Sequence, residues 1–177
     1  MIQIMIIRIF KPFNFYFLVL ICTTLLFSIT DKNTFGQENI PNFALYDIQG
    51  NRHILYELLK DLPNDGIMVI NFTSIFCPPC KKEIPQLISI VNSSKQKVRL
   101  IFIYNEDSKA INDDVIYFNI KDKAFTDVLG TIKAKLKVEK IPTTLILNKN
   151  GTIIGTYIGY SDNNIKAIKD MIVFVKQ

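Results

Sequence analysis

Two cysteines separated only by two prolines, Cys77-Pro78-Pro79-Cys80, stand where an apolar run stops and a helical stripe begins. No other feature limits the fold of this chain as sharply. Residues 66–72, Gly-Ile-Met-Val-Ile-Asn-Phe, are too continuously apolar for a strand with one wet face and suit a central strand buried on both. Behind the cysteines, Cys80, Ile84, Leu87 and Val91 recur at the spacing of a helix packed against a sheet. The prolines pre-set φ for a helix start, so the strand-to-helix junction falls on the thiols themselves. A second buried run, residues 98–104, completes a strand–helix–strand unit, which implies a parallel, right-handed crossover.

The remaining pattern fills out an α/β domain with a mixed sheet flanked by helices. Residues 43–47 and 52–54 flank Gln49-Gly50-Asn51 as a small N-terminal hairpin extension, and residues 55–60 suit a short helix. The polar stretch 105–119 is read as loop with a short strand at 115–118, and residues 123–137 as a surface helix interrupted at Gly130. Residues 143–147 and 152–158 flank Asn148-Lys149-Asn150-Gly151, whose Asn-Gly pair tolerates the positive φ of a tight turn, so these strands should be antiparallel. Ser161 or Asp162 can cap a last helix with Ile165, Ile168, Ile172 and Val175 on its apolar face.

With 177 residues the chain has room for one core. Arg8 and Lys11 precede the uncharged run 13–29, so residues 1–36 read as a signal peptide or an N-terminal membrane anchor, and residues 37–177 as the folded domain. Cleavage after Gly36 and an uncleaved anchor are both open, and either places the domain in the periplasm or on the outer face of the cytoplasmic membrane. Cys22 lacks the small residue that precedes a lipoprotein cysteine and reads as a membrane-buried thiol. The net charge of +5 describes a solvated surface and indicates no nucleic-acid partner.

Three cysteines cannot staple a domain of this size, but the paired two can do chemistry. A strand end and a helix start should hold Cys77 at the surface, where the first turn's partial positive charge favours thiolate. Cys80, one turn along and facing the core, can close a ring with it, so Cys77 can attack a substrate disulfide and Cys80 can resolve the mixed disulfide. Lowering a thiol pKa from about 8.5 to about 7 raises the thiolate roughly 16-fold, while weaker intrinsic nucleophilicity returns a factor of about 5. Acidity therefore contributes only about threefold, and the proximity of the second thiol must supply more. Because Pro78 and Pro79 carry no N–H, the backbone donors left to Cys77 are those of Cys80 and Lys81.

Other readings are weaker. A zinc site lacks ligands, since His53 is the single histidine, and His53 reads as a strand or surface residue. A purely structural disulfide closing so short a loop would constrain little of the unfolded chain. Glu106, Asp107, Asp113 and Asp114 match no calcium loop and read as a solvated segment, so neither metal nor cofactor is expected. The acceptor patterns at Asn71 and Asn92 arise easily by chance, and Asn71 would be unusable on a buried strand.

Residues 69–85, from Val69 through the cysteine motif to Pro85, together with Lys140-Ile141-Pro142-Thr143-Thr144, resemble thioredoxin-fold proteins, and most nearly the exported thiol-disulfide reductases of the TlpA/ResA type. The resemblance implies a kink at Pro85, a cis peptide before Pro142 beside the thiols, and glycines matching Gly151 and Gly159. It implies that backbone groups of Ile141 pair with an extended substrate, with Phe76, Ile75 and Ile141 as an apolar lip. Phe76 replaces the tryptophan usual before the first cysteine, and Asn71 replaces the buried acid of thioredoxins. A glutamate elsewhere assists in the TlpA/ResA branch, and its position in this sequence is left open; Glu83 lies on the active-site helix, with a solvent-facing side chain and an inward one both open. The implied function is reduction of disulfides in exported proteins, such as apocytochromes awaiting haem, with electrons from a membrane donor protein. Two alternatives remain at this point: a Cu(I)-binding module using Cys77 and Cys80, and a peroxiredoxin-like peroxidase, which would need threonine where the chain has Ser74.

Overall fold

The computed structural model describes residues 39–174. The expectations for the leader, for Cys22, for cleavage after Gly36 and for Val175 fall outside the described residues. Among the described residues, no helix is long and apolar enough to cross a membrane.

Seven strands form one mixed sheet in the order β2-β1-β5-β4-β3-β6-β7. These are β1 (Ala44–Asp47), β2 (Arg52–Ile54), β3 (Ile67–Thr73), β4 (Val98–Tyr104), β5 (Ala124–Thr126), β6 (Thr143–Asn148) and β7 (Ile153–Ile158). β3 pairs in parallel with β4, and β4 with β5, while β3–β6, β6–β7, β1–β5 and the β1–β2 hairpin are antiparallel. The helices are α1 (Leu55–Lys60), α2 (Pro78–Ser93), α3 (Asn112–Phe118), α4 (Thr131–Lys135) and α5 (Asp162–Phe174).

Every residue of β3 is buried, because side chains alternate between two covered faces. Met68, Ile70 and Phe72 join Leu55 and Leu59 of α1 and Ile132 of α4 on one side. Ile67 and Val69 join Ile84 and Leu87 of α2, Val115 of α3, and Ile168 and Ile172 of α5 on the other. The stripe on α2 closes with Ile90 rather than Val91, which is half-buried.

Two segments differ from the sequence expectation. The short strand expected at 115–118 is the C-terminal part of α3, whose Val115 packs inward with Ile111 while Ile116 and Tyr117 are exposed. Asp113 and Asp114 in its first turn favour a helix start, and Asn119, at φ 53°, ends it. The surface helix expected over 123–137 is instead β5 followed by α4, separated by a turn in which Gly130 takes φ +65°. Apolar side chains at Ala124 and Phe125 are buried on opposite faces, which a strand allows and a surface helix does not.

Asp127 holds that turn. It is 5% exposed, and its carboxylate accepts from Ile132 N at 3.2 and 3.0 Å, Lys133 N at 3.0 Å and Thr131 Oγ1 at 3.1 Å, satisfying donors that the start of α4 would otherwise leave bare. Asp127→Ala should lower unfolding free energy by about 1–3 kcal/mol, read by denaturant titration, while the more exposed Asp122→Ala should change little. The hairpin turn of β1–β2 is fixed similarly by Asp47. Burial alone would raise its pKa, but hydrogen bonds from His53, Asn51 and Gln49 outweigh it and bring the carboxyl down to about 2. His53 is thereby a strand residue tied to a structural carboxylate. At the other end of the chain, Ser161 caps α5, its Oγ accepting from Asn164 N at 3.1 Å.

Candidate active site at the end of the central strands

β3 ends at Thr73, and a turn over Ser74–Phe76 delivers the chain to Cys77, the N-cap of α2. Ser74 shapes the turn, its carbonyl accepting from Cys77 N at 3.2 Å and its Oγ from Phe76 N at 3.1 Å. Pro78 and Pro79 occupy the first helical positions, and Pro85 lies inside the helix, where it cannot donate to Lys81 O. Cys77 and Cys80 are joined in a disulfide. Of the two donors left to Cys77 by the prolines, Cys80 N reaches Sγ at 3.2 Å, whereas Lys81 N bonds the Cys77 carbonyl instead. Expected at the surface, Cys77 is only 8% exposed in this disulfide form, and Cys80 is fully buried.

The Ile141-Pro142 peptide is cis. Thr143, the next residue, pairs with Phe72, so Ile141 and Pro142 lie at the same end of the sheet as the cysteine turn. Pro142 is buried, Ile141 half-buried and Phe76 81% exposed. Sheet register adds three apolar residues that sequence pattern did not single out. Val128 and Leu129 follow β5 at this end, since Thr126 pairs with Tyr104 and Tyr104 with Thr73. Ile158 ends β7 opposite Thr143. All three are exposed, giving the cysteine end of the sheet an apolar collar with Phe76. Only their place in the sheet could reveal them, because nothing in their local sequence ties them to the cysteines.

Beneath the disulfide lies a residue whose placement the sequence left open. Glu83 is 1% exposed, not open to solvent, and lies three residues after Cys80 on the same inward face of α2. Its Oε2 accepts from Asn71 Nδ2 at 3.2 Å and its Oε1 from Thr144 Oγ1 at 3.2 Å, while Asn71 Nδ2 also donates to Thr144 Oγ1 at 2.9 Å. Asn71 and Thr144 are register partners on β3 and β6, so the sheet itself sets this triangle. Burial pushes the Glu83 carboxyl up to about 7, against the two hydrogen bonds that favour its ionised form.

That shift has a stability consequence. Between pH 4.5 and about 7 the folded protein retains a proton that the unfolded chain has released, so stability falls as pH rises through this window and levels off above it. The loss amounts to about 3 kcal/mol. Chemical denaturation at a series of pH values should show that loss in the protein relative to Glu83→Gln, which has no proton to give up; parallel curves would contradict the shift.

Ser74 gives its hydroxyl to Glu106, and Asp114 pairs with Lys81 at 3.1 Å. Among the described residues, no three His, Cys, Asp or Glu side chains gather as metal ligands.

The sequence model described as the AhpC/TSA family matches residues 37–176. The thiol-disulfide oxidoreductase ResA of Bacillus cereus (strain ATCC 10987 / NRS 248) is 30% identical over 130 residues, 72% of this chain and 72% of that protein. ResA of Bacillus subtilis (strain 168) is 29% identical over 150 residues, 80% of each chain. Among solved structures, a putative protein disulfide isomerase from Bacteroides thetaiotaomicron superposes with a TM-score of 0.66 at 19% identity, covering 77% of this chain and 86% of that one, a likeness of fold.

Proposed function

The chain belongs to the AhpC/TSA family and is a thiol-disulfide oxidoreductase of the ResA type with a Cys77–Cys80 pair, and on that premise we propose that it reduces disulfides in exported proteins. The observation that carries the proposal is the disulfide at the N-terminus of α2, with the buried Glu83 carboxyl behind Cys80 on the same inward face.

The reduced protein begins the cycle. Cys77 thiolate attacks a substrate disulfide, forming a bond to one sulfur and releasing the other as thiolate. Cys80 then loses its proton to the Glu83 carboxylate and attacks Cys77 Sγ. The Cys77–Cys80 bond forms, the mixed disulfide breaks, and the substrate leaves carrying two electrons. A membrane dithiol protein outside the cytoplasm returns two electrons to the disulfide, and Cys80 regains its proton. Phe76, Ile141 and Pro142 bind the extended substrate segment, and the collar residues Val128, Leu129 and Ile158 widen that surface; Pro78, Pro79 and Pro85 shape the helix that carries the thiols. The apolar run 13–29 after Arg8 and Lys11 supports export with N-terminal attachment or cleavage.

Glu83 bears on direction. Once ionised, its negative charge behind Cys80 on the same helix face disfavours a standing thiolate there, which opposes the strong thiolate stabilisation that makes an oxidant. Equilibration with dithiothreitol buffers should give a potential well below about −200 mV, nearer the reducing end of the thioredoxin range; a value near −120 mV would mark an oxidase and contradict the proposal.

A further inference from the structure

Glu83 is shut off from solvent, yet its carboxyl must exchange its proton with bulk water to reach equilibrium at each pH. On the sheet face it occupies, polar atoms continue away from it. Asn71 and Thr73 are alternate residues of β3 and point to the same side as Glu83. Thr73 is the register partner of Tyr104 on β4. All three are fully buried, and Asn71 Oδ1, Thr73 Oγ1 and Tyr104 OH have no hydrogen-bond partner within the protein. Asp114 follows at 7% exposure; its Oδ1 accepts from Lys81, while its Oδ2 is also unpartnered. With Lys81 and Asp113 it borders the groove between α2 and α3. Unpaired buried polar atoms are uncommon in native proteins, and several in one layer call for ordered water to complete their bonding.

We infer that Thr73, Tyr104 and Asp114, joined by ordered water, form a proton conduit from Glu83 to the groove between α2 and α3. The inference rests on the reading of Glu83 as the proton acceptor of Cys80 and supplies that residue's connection to solvent. A hydroxyl accepts one proton while donating another, so a charge passes along Thr73 and Tyr104 with no net change at either. The proton leaving Glu83 enters the water beside Thr73, a different proton leaves the Tyr104 side toward Asp114 Oδ2, and Asp114 releases it to bulk. The charged groups around the path are Glu83 and Lys81 from α2, Asp113 and Asp114 from α3, and Glu106 after β4. Burial first, then the negative charges of Asp114 and Glu106, keep the Tyr104 hydroxyl protonated, so it relays without ionising. Thr73 and Tyr104 act through Glu83 and are positioning residues.

Carbon-13 NMR of the glutamate carboxyls in the oxidised protein reads this directly. The protein should show one Glu83 signal moving smoothly through its titration. In Tyr104→Phe and Thr73→Val, which keep the side-chain shape and remove a hydroxyl, the midpoint should hold while proton exchange slows at least about tenfold, so that the signal broadens or splits at the midpoint. Two variants guard against repacking at either site. Line shapes like those of the unsubstituted protein in both would overturn the conduit, and so would a displaced midpoint with undiminished exchange. Failure of Glu83 to titrate near neutrality in the unsubstituted protein would instead remove the reading of Glu83 on which the conduit rests.

Discussion

Cys77→Ala should abolish disulfide exchange, whereas Cys80→Ala should leave the first attack intact and accumulate a covalent adduct between Cys77 and substrate. The asymmetry follows from placement. Cys77 precedes the helix at the sheet end that bears Phe76 and the Ile141-Pro142 peptide, while Cys80 is wholly buried and can meet only Cys77. Without the resolving thiol, release depends on a free thiol from solution, and the advantage of an intramolecular attack is lost. Effective molarities of well-placed groups make that at least about a thousandfold. Insulin reduction with dithiothreitol should therefore lack catalysis in both variants. Non-reducing electrophoresis and intact-mass measurement should find the insulin adduct only in Cys80→Ala. An adduct in Cys77→Ala of comparable yield would reverse the roles assigned to the two sulfurs.

Glu83→Gln should slow the second step and leave the first alone. Reaction of the reduced protein with an aromatic disulfide releases one chromophoric thiolate as Cys77 attacks and another as Cys80 resolves, so the two steps are read separately. General base catalysis contributes about 10²-fold or more, and the second release should slow by roughly that factor near neutral pH. The pH profile carries the assignment. In the unsubstituted protein the second release should rise with pH and level off above about 7, as Glu83 becomes a carboxylate. In Glu83→Gln that plateau should vanish, the rate climbing instead with the ionisation of Cys80 itself. Unchanged rates in Glu83→Gln would remove Glu83 from the mechanism.

The strands and the helix that carry the cysteines were legible in sequence because each has one dominant signal. β3 and β4 are dominated by apolar residues, α2 has its stripe and its prolines, and β6–β7 has its Asn-Gly turn. Residues 105–137 resisted for the opposite reason. α3 and β5 are short, and each buries few side chains, so local pattern cannot separate a turn of helix from a strand until neighbouring strands supply a register. Glu83 was left unplaced because of its charge. Its spacing from Cys80 and Ile84 places it by the buried stripe, but a carboxyl there is stable only because Asn71 and Thr144, distant in sequence, meet it across two strands. Asn71 itself offered the signal: a polar amide in the middle of a buried strand needs a partner, and Glu83 is that partner.

The most direct measurement follows electrons. The protein, reduced and freed of excess reductant, is mixed with an unfolded, disulfide-bonded protein, and disulfides on both are counted by mass spectrometry after acid quench. One Cys77–Cys80 bond should form for each substrate disulfide lost, with the substrate gaining two free thiols. A substrate that keeps its disulfide while Cys77 and Cys80 stay reduced would contradict the account.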